Sequence, residues 1–207
     1  DRDRFPNEAC FMGRQDGTKA EIKHGDTESV DLLIVGGGFS GLALAIAVEG
    51  SGLTAAVVDR AAPRDVLGAD FDGRTCAFAD ASVRILEALE VWPDMVAAAA
   101  PINDIRVCDG HSPLFLHYDH REVGDRPFGH VVENLVTRQA LYRRLEKCSH
   151  ATLEAPAEGE SLQFADDGVT ARLGDGRCLH TALVVAADGR RSQTRQSAGI
   201  RVSESAY

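Results

Sequence analysis

Gly36, Gly38 and Gly41 stand in the spacing G-x-G-x-x-G within Asp31-Leu-Leu-Ile-Val-Gly-Gly-Gly-Phe-Ser-Gly-Leu-Ala-Leu-Ala45. That spacing suits the holding of an anion by backbone. Gly36 permits a tight strand-to-helix turn, Gly38 lets a pyrophosphate approach the main chain, and Gly41 lets the following helix pack close to the strand. The helix then points uncapped N–H groups and its positive dipole end at the phosphate. Asp59 lies 23 residues after Gly36, at the end of the apolar run from Leu53 to Val58. A carboxylate at that distance accepts hydrogen bonds from ribose hydroxyls in a dinucleotide fold. Together these residues predict a nucleotide-binding β-α-β unit over 31–59.

The elements that must position them follow from the apolar pattern. Leu32 to Val35 read as a strand buried on both faces, and the segment through Val48 as a helix closed by Gly52. Leu32 to Val48 is 17 residues without a charge, near the lower limit of a membrane span. Its glycines, and the acids Asp26, Glu28 and Asp31 just before it, favour a buried strand and helix instead.

The rest of the chain reads as mixed α/β. Residues 1–29 are polar and aperiodic, a flexible tail. Residues 61–73 read as a loop, with Asp65, Asp70 and Asp72 along it, followed by Arg74. Asp80 is expected to cap a helix over 81–90, ended by Trp92-Pro93, with Trp92 a packing residue. A further short helix over 94–100 is expected to stop at Pro101. Strands are expected at Ile105 to Cys108, Leu114 to Tyr118, and Val131 with Val132. Thr137 is read as the cap of a helix bearing Leu141, Leu145 and Cys148, which puts Arg138 in its first turn. Leu162 to Phe164, Val169 to Leu173 and Cys178 to His180 are separated by Asp-Asp-Gly and Gly-Asp-Gly-Arg, and read as an antiparallel three-stranded meander. Leu183 to Ala187 forms another strand, and a helix begins near Ser192, just after Arg190 and Arg191.

Composition narrows the class. The chain has 207 residues, 44% of them hydrophobic and 26% charged, which is ordinary for a globular protein. A net charge of −10 argues against nucleic acid as a partner and against broad attraction to anionic lipid. Cys10, Cys76, Cys108, Cys148 and Cys178 are scattered without a C-x-x-C pair, which fits free thiols in a reducing cytoplasm. No metal site is expected: His111, His117, His120 and His130 lack cysteine partners at zinc spacing and read as surface or packing residues.

Five motifs in order resemble a known family: Gly-Gly-Gly-Phe-Ser-Gly41, Val-Val-Asp-Arg60, Asp-Gly-Arg74, Val-Val-Glu-Asn134 with Thr137-Arg138 and Leu141, and Ala-Asp-Gly-Arg-Arg-Ser-Gln-Thr-Arg195. They look like the FAD-dependent aromatic hydroxylases of the p-hydroxybenzoate hydroxylase class, nearest the ubiquinone-biosynthesis branch. The resemblance spans residues 31 to about 202. It implies a Rossmann-like FAD-binding domain of glutathione-reductase type over 30–202, carrying the meander, and the start of a truncated, incomplete substrate domain at 203–207. It also implies FAD contacts from Gly36, Gly38, Phe39, Ser40, Gly41, Asp59, Arg60, Arg74, Arg138, Asp188 and Gly189, with no catalytic side chain assigned. Asp188 and Gly189 would bridge the flavin site and the nicotinamide access route. The family more often has Glu where this chain has Asp59.

The implied reaction is monooxygenation, with NADH or NADPH as transient co-substrate and a small aromatic or prenylated phenol as substrate. An FAD oxidase or reductase on the same fold and a flavin-poor scaffold in a quinone-biosynthesis complex are the alternatives. The scaffold reading draws on an absence. The family's Gly-Asp-Ala motif has no match here, since the Gly-Asp pairs at 25–26, 124–125 and 174–175 are followed by Thr27, Arg126 and Gly176. The chain is accordingly read as the N-terminal portion of a longer enzyme, inactive by itself. It is placed in the cytoplasm, with association at the inner-membrane periphery or in a biosynthetic complex.

Overall fold

The computed structural model describes residues 27–68, 73–110 and 114–205. Most of the expected tail, Asp70 and Asp72 of the acidic loop, Cys10 and His111 lie outside them.

β1 (Thr27–Val35) starts before the apolar run and leads through the glycine turn into α1 (Phe39–Val48). β2 (Ala55–Val58) follows, then the short α2 (Pro63–Leu67) where the sequence suggests only loop. Pro63 starts that helix without loss, because the first helical N–H needs no partner. β3 (Thr75–Ala79) runs directly into α3 (Asp80–Ala88). Asp80 does not cap this helix. Ala79 occupies the cap position, and the Asp80 carboxylate instead takes Arg84 Nε at 2.8 Å and Arg126 Nε at 2.6 Å. The helix expected over 94–100 is replaced by two 3₁₀ turns, Trp92–Asp94 and Val96–Ala98, and then β4 (Ala100–Ile102). Pro101 is tolerated there because β4 is an edge strand.

β5 (Asp104–Cys108) and β6 (Phe115–Asp119) form an antiparallel hairpin, and β7 (Gly129–Glu133) joins β3 and β4 in a three-stranded sheet of order β3-β7-β4. α4 (Asn134–Leu145) continues straight from β7, so it begins three residues before Thr137. Thr137 is buried inside the helix and donates its hydroxyl to the Glu133 carbonyl at 3.2 Å. Arg138 therefore lies beyond the first turn.

β8 (Ala151–Glu154), β9 (Gly159–Ala165), β10 (Gly168–Leu173), β11 (Cys178–Ala186) and α5 (Gln193–Ser197) complete the chain. The main sheet has the order β8-β2-β1-β11-β10-β9. β9, β10 and the first part of β11 form the expected antiparallel meander. The two strands expected at 178–180 and 183–187 are one. β11 pairs antiparallel with β10 at its start and parallel with β1 along its whole length.

Alternation along the parallel strands divides the core. Leu32, Ile34, Ala55 and Val57 point to one face, where Leu42, Ala45 and Ile46 of α1 and Ala140, Leu141 and Leu145 of α4 cover them. Leu33, Ala56 and Val58 point to the other and pack against Ala171, Leu173 and Leu179 of the meander. Both faces are apolar because both are covered, as a central parallel sheet requires. The 17-residue uncharged run is thus split between a strand and a ten-residue helix. Among the described residues no helix is long and apolar enough to cross a membrane.

Leu33 is 1% exposed at the seam between sheet and meander. Truncation by Leu33→Ala should therefore lower unfolding stability by about 2–5 kcal/mol in chemical denaturation.

Candidate functional site

The carboxyl ends of β2, β1 and β11 lie side by side, since β1 pairs in parallel with both neighbours. β1 is also where the strand order reverses, and a crevice outside the strand ends at such a point is where α/β sheets bind ligands. Backbone bonds zip the three ends together: Gly36 N–H donates to Val58 at 2.8 Å, and Ala187 N–H donates to Val35 at 2.7 Å.

The glycine turn is built against this edge. Gly36 has φ +112°, in the region that disfavours side chains, and a β-carbon there would collide with the Ala187 carbonyl. On Gly41 it would run into the Gly36 carbonyl, so helix and turn touch through backbone. Gly38 is different: a β-carbon would meet nothing within 4 Å. Space therefore opens above Gly38, at the N-terminus of a helix with no side-chain cap and no acid in its first turn. Those are the conditions under which first-turn N–H groups can take an anion. Ser40 is exposed beside them.

Asp59 closes one side of the turn. Its Oδ2 accepts the Gly37 N–H at 2.5 Å and its Oδ1 accepts the Ala61 N–H at 2.8 Å. Arg60 next to it is exposed.

Asp188, just past β11, closes the other side. Its Oδ2 accepts both the amide and the hydroxyl of Thr194, each at 3.0 Å. Burial opposes ionisation of this carboxyl, yet hydrogen bonds from the Ser192 hydroxyl and from Thr194 hold it below the usual carboxylate range. Its Oδ1 is buried without a hydrogen-bond partner. Gly189 turns the chain with φ +82°, and the Ser192 hydroxyl caps α5 by accepting Arg195 N–H at 2.9 Å.

The third wall comes from α4. Arg138 sits with its guanidinium 5.9 Å from the centre of the Phe39 ring, a cation–π distance. Phe39 in turn faces Phe78 of β3 at 6.4 Å. Arg74 is exposed just before β3, and its carbonyl accepts the first N–H of α4, from Asn134, at 3.0 Å. The eleven residues singled out from sequence lie at the ends of β1, β2 and β11, in the turn and helix start that follow β1, just before β3 and on α4; Ser40, Arg60 and Arg74 are exposed.

Sequence reading passed over three contributors. Thr194 orients Asp188, and the Ser-Gln-Thr tripeptide after Asp-Gly-Arg-Arg was its visible signal. Tyr142, four residues after Arg138 and therefore on the same helix face, is 5% exposed. Burial raises its phenol pKa, as does the Asp59 charge, with Arg138 offsetting part of the rise. Gly37 has no role in the glycine spacing, yet its N–H is held by Asp59.

His117, His120 and His130 sit elsewhere. His117 pairs with Asp104 at 2.7 Å, His120 contacts the Asn103 carbonyl at 3.1 Å, and His130 packs edge-on to Trp92 at 5.0 Å.

Residues 29–207 match the family described as FAD binding domain. The chain is 46% identical over 177 residues to ubiquinone hydroxylase UbiL of Rhodospirillum rubrum, covering 86% of this chain and 41% of that protein. It is 33% identical over 177 residues to 3-demethoxyubiquinol 3-hydroxylase of Escherichia coli, covering 84% and 45%. It spans less than half the length of these relatives. Among solved structures, p-nitrophenol 4-monooxygenase PnpA of Pseudomonas putida shares the fold at TM-score 0.70 and 22% identity, covering 83% of this chain and 44% of that one. The flavin-dependent monooxygenase PieE, solved with FAD and substrate, does so at 0.66 and 20%, covering 83% and 32%.

Because Asp188 titrates below its unfolded value of about 3.9, its contribution to stability is complete above that value and is lost as pH falls through the folded one. Thr194→Val removes one of its donors. The acid limb of the stability curve should then move to higher pH, as read by fluorescence-monitored unfolding over about pH 2–5.

Proposed function

Because the chain belongs to the FAD binding domain family, we propose that it forms the FAD-binding part of a flavin-dependent hydroxylase that oxidises a phenolic ring, with a ubiquinone precursor as substrate. The pairing of two features carries this reading: open space over Gly38 at an uncapped helix N-terminus, and a buried, unpartnered acceptor on Asp188 just past the neighbouring strand β11. An anionic, hydroxyl-rich dinucleotide answers both. The curated relatives named as ubiquinone hydroxylases support the choice of substrate.

In this reading the N–H groups of Phe39, Ser40 and Gly41 take the pyrophosphate, with Gly36 and Gly38 leaving it room. The remaining lone pairs of Asp59 take the ribose hydroxyls, since a carboxylate offers about four acceptor sites and two are used. Arg60, Arg74 and Arg138 supply positive charge around an otherwise acidic molecule. Asp188 Oδ1 receives a donor from the cofactor, and Gly189 lets the backbone pass close to it. FAD, when bound, carries electrons from NADH or NADPH to O₂, so that one oxygen atom enters the ring and the other leaves as water. The protein side chains hold, orient and exclude water; none is assigned a bond-making role.

Two measurements test this. Gly38→Val introduces a side chain into empty space, so the flavin-free protein should unfold within about 1 kcal/mol of the parent. Its FAD affinity should fall at least about tenfold, because the pyrophosphate loses its room. Full-length enzyme given NAD(P)H, a phenolic ubiquinone precursor and ¹⁸O₂ should place label in the product. Oxidation without label would leave an oxidase or reductase and overturn the hydroxylase proposal.

A further inference from the structure

In the motif G-x-G-x-x-G the second position imposes nothing by itself. Here it is constrained. Gly37 does not have a positive φ, so its backbone does not demand glycine. Space does: a β-carbon on Gly37 would lie 3.0 Å from Asp59 Cβ, 3.1 Å from Oδ2 and 3.3 Å from Cγ. An ordinary neighbour could shift by a few tenths of an ångström. Asp59 is pinned on every side. Its carboxylate holds Gly37 N–H at 2.5 Å and Ala61 N–H at 2.8 Å. Its own N–H donates to Glu154 at 3.1 Å, and its carbonyl accepts from Ala157 at 2.8 Å. A side chain at 37 would therefore stretch the bond that links it to Asp59.

We propose that Asp59 is a positioning residue that latches the glycine turn through the Gly37 N–H, and that position 37 must be glycine because any side chain there displaces the latch. The carboxylate holds the turn in its binding shape before any ligand arrives and turns its unused lone pairs toward the crevice. The consequence for affinity rests on the FAD reading; the latch itself is a property of the ligand-free protein.

The test uses the full-length protein and four variants: Gly37→Ala, Asp59→Ala, Asp59→Asn, and Gly37→Ala with Asp59→Ala. Amide exchange without ligand, resolved over 36–42 and 59–62 by mass spectrometry, should speed up about tenfold at Gly37 in Asp59→Ala. Dissociation constants for FAD should rise about tenfold in Gly37→Ala and at least as much in Asp59→Ala. Asp59→Asn keeps one carbonyl acceptor and should recover part of the loss. Adding Gly37→Ala to Asp59→Ala should cost less than about twofold more, since the displaced group is already gone. Unchanged exchange at Gly37 in Asp59→Ala, or losses that multiply in the double variant, would overturn the latch. Should the parent bind no flavin, the function proposed above falls while the exchange measurement still decides the latch.

Discussion

Everything at the crevice depends on backbone approaching backbone at the end of β1. Gly36 presses on the Ala187 carbonyl, and Gly41 presses on the Gly36 carbonyl. A single methyl at either place would force β11 or α1 away, and with them Asp188 on one side and the helix N-terminus on the other. The cost would come from repulsion between atoms that have nowhere to relax, because β1 lies in the middle of the sheet with strands on both sides. The Asp59 carboxylate then fastens the turn from the side through the Gly37 N–H.

Electrostatics then act locally against the global trend. The chain carries a net charge of −10, which would repel an anionic ligand at long range. Within the crevice the balance differs, because α1 has no acid in its first turn and Arg138 hangs over Phe39 at its start. Asp59 spends part of its negative charge on two backbone N–H groups, and Asp188 spends its own on Thr194. Both acids are thereby tied to the protein. Screening at physiological salt, with a Debye length of about 8 Å, leaves these short-range contacts intact while muting the distant repulsion.

Much of this was legible in the sequence wherever a local rule governs. The β1-turn-α1 unit, the acid at the end of β2 and the β9-β10 turn each follow from residue type and spacing. What escaped depends on partners far away in sequence. Asp80 looks like a cap, but Arg126, 46 residues on, takes its carboxylate. Thr137 looks like a cap because nothing local reveals that β7 runs unbroken into α4. Pro101 looks like a helix stop, and only the sheet order shows it to be on an edge. Cys178 to His180 and Leu183 to Ala187 look like two strands because nothing local shows that pairing with β10 stops at Thr181 while β1 continues beside the chain. Gly37 was hidden for the same reason, since its requirement comes from Asp59, 22 residues away.

The pairing of β1 with β11 also sets an order of events during synthesis. Leu32 sits opposite Leu183, so β1 waits for some 150 residues of chain before its second neighbour exists. At about 5–20 residues per second on the ribosome, that wait is roughly eight to thirty seconds. Until then the glycine turn has no Ala187 to rest on, and the apolar edge of β1 is open to any strand that reaches it. Closure of so long a loop is slow and, once achieved, cooperative. Competence to take up a nucleotide should thus arrive abruptly, when the segment around Asp188 leaves the ribosome, and ligand present at that moment would capture the newly closed sheet.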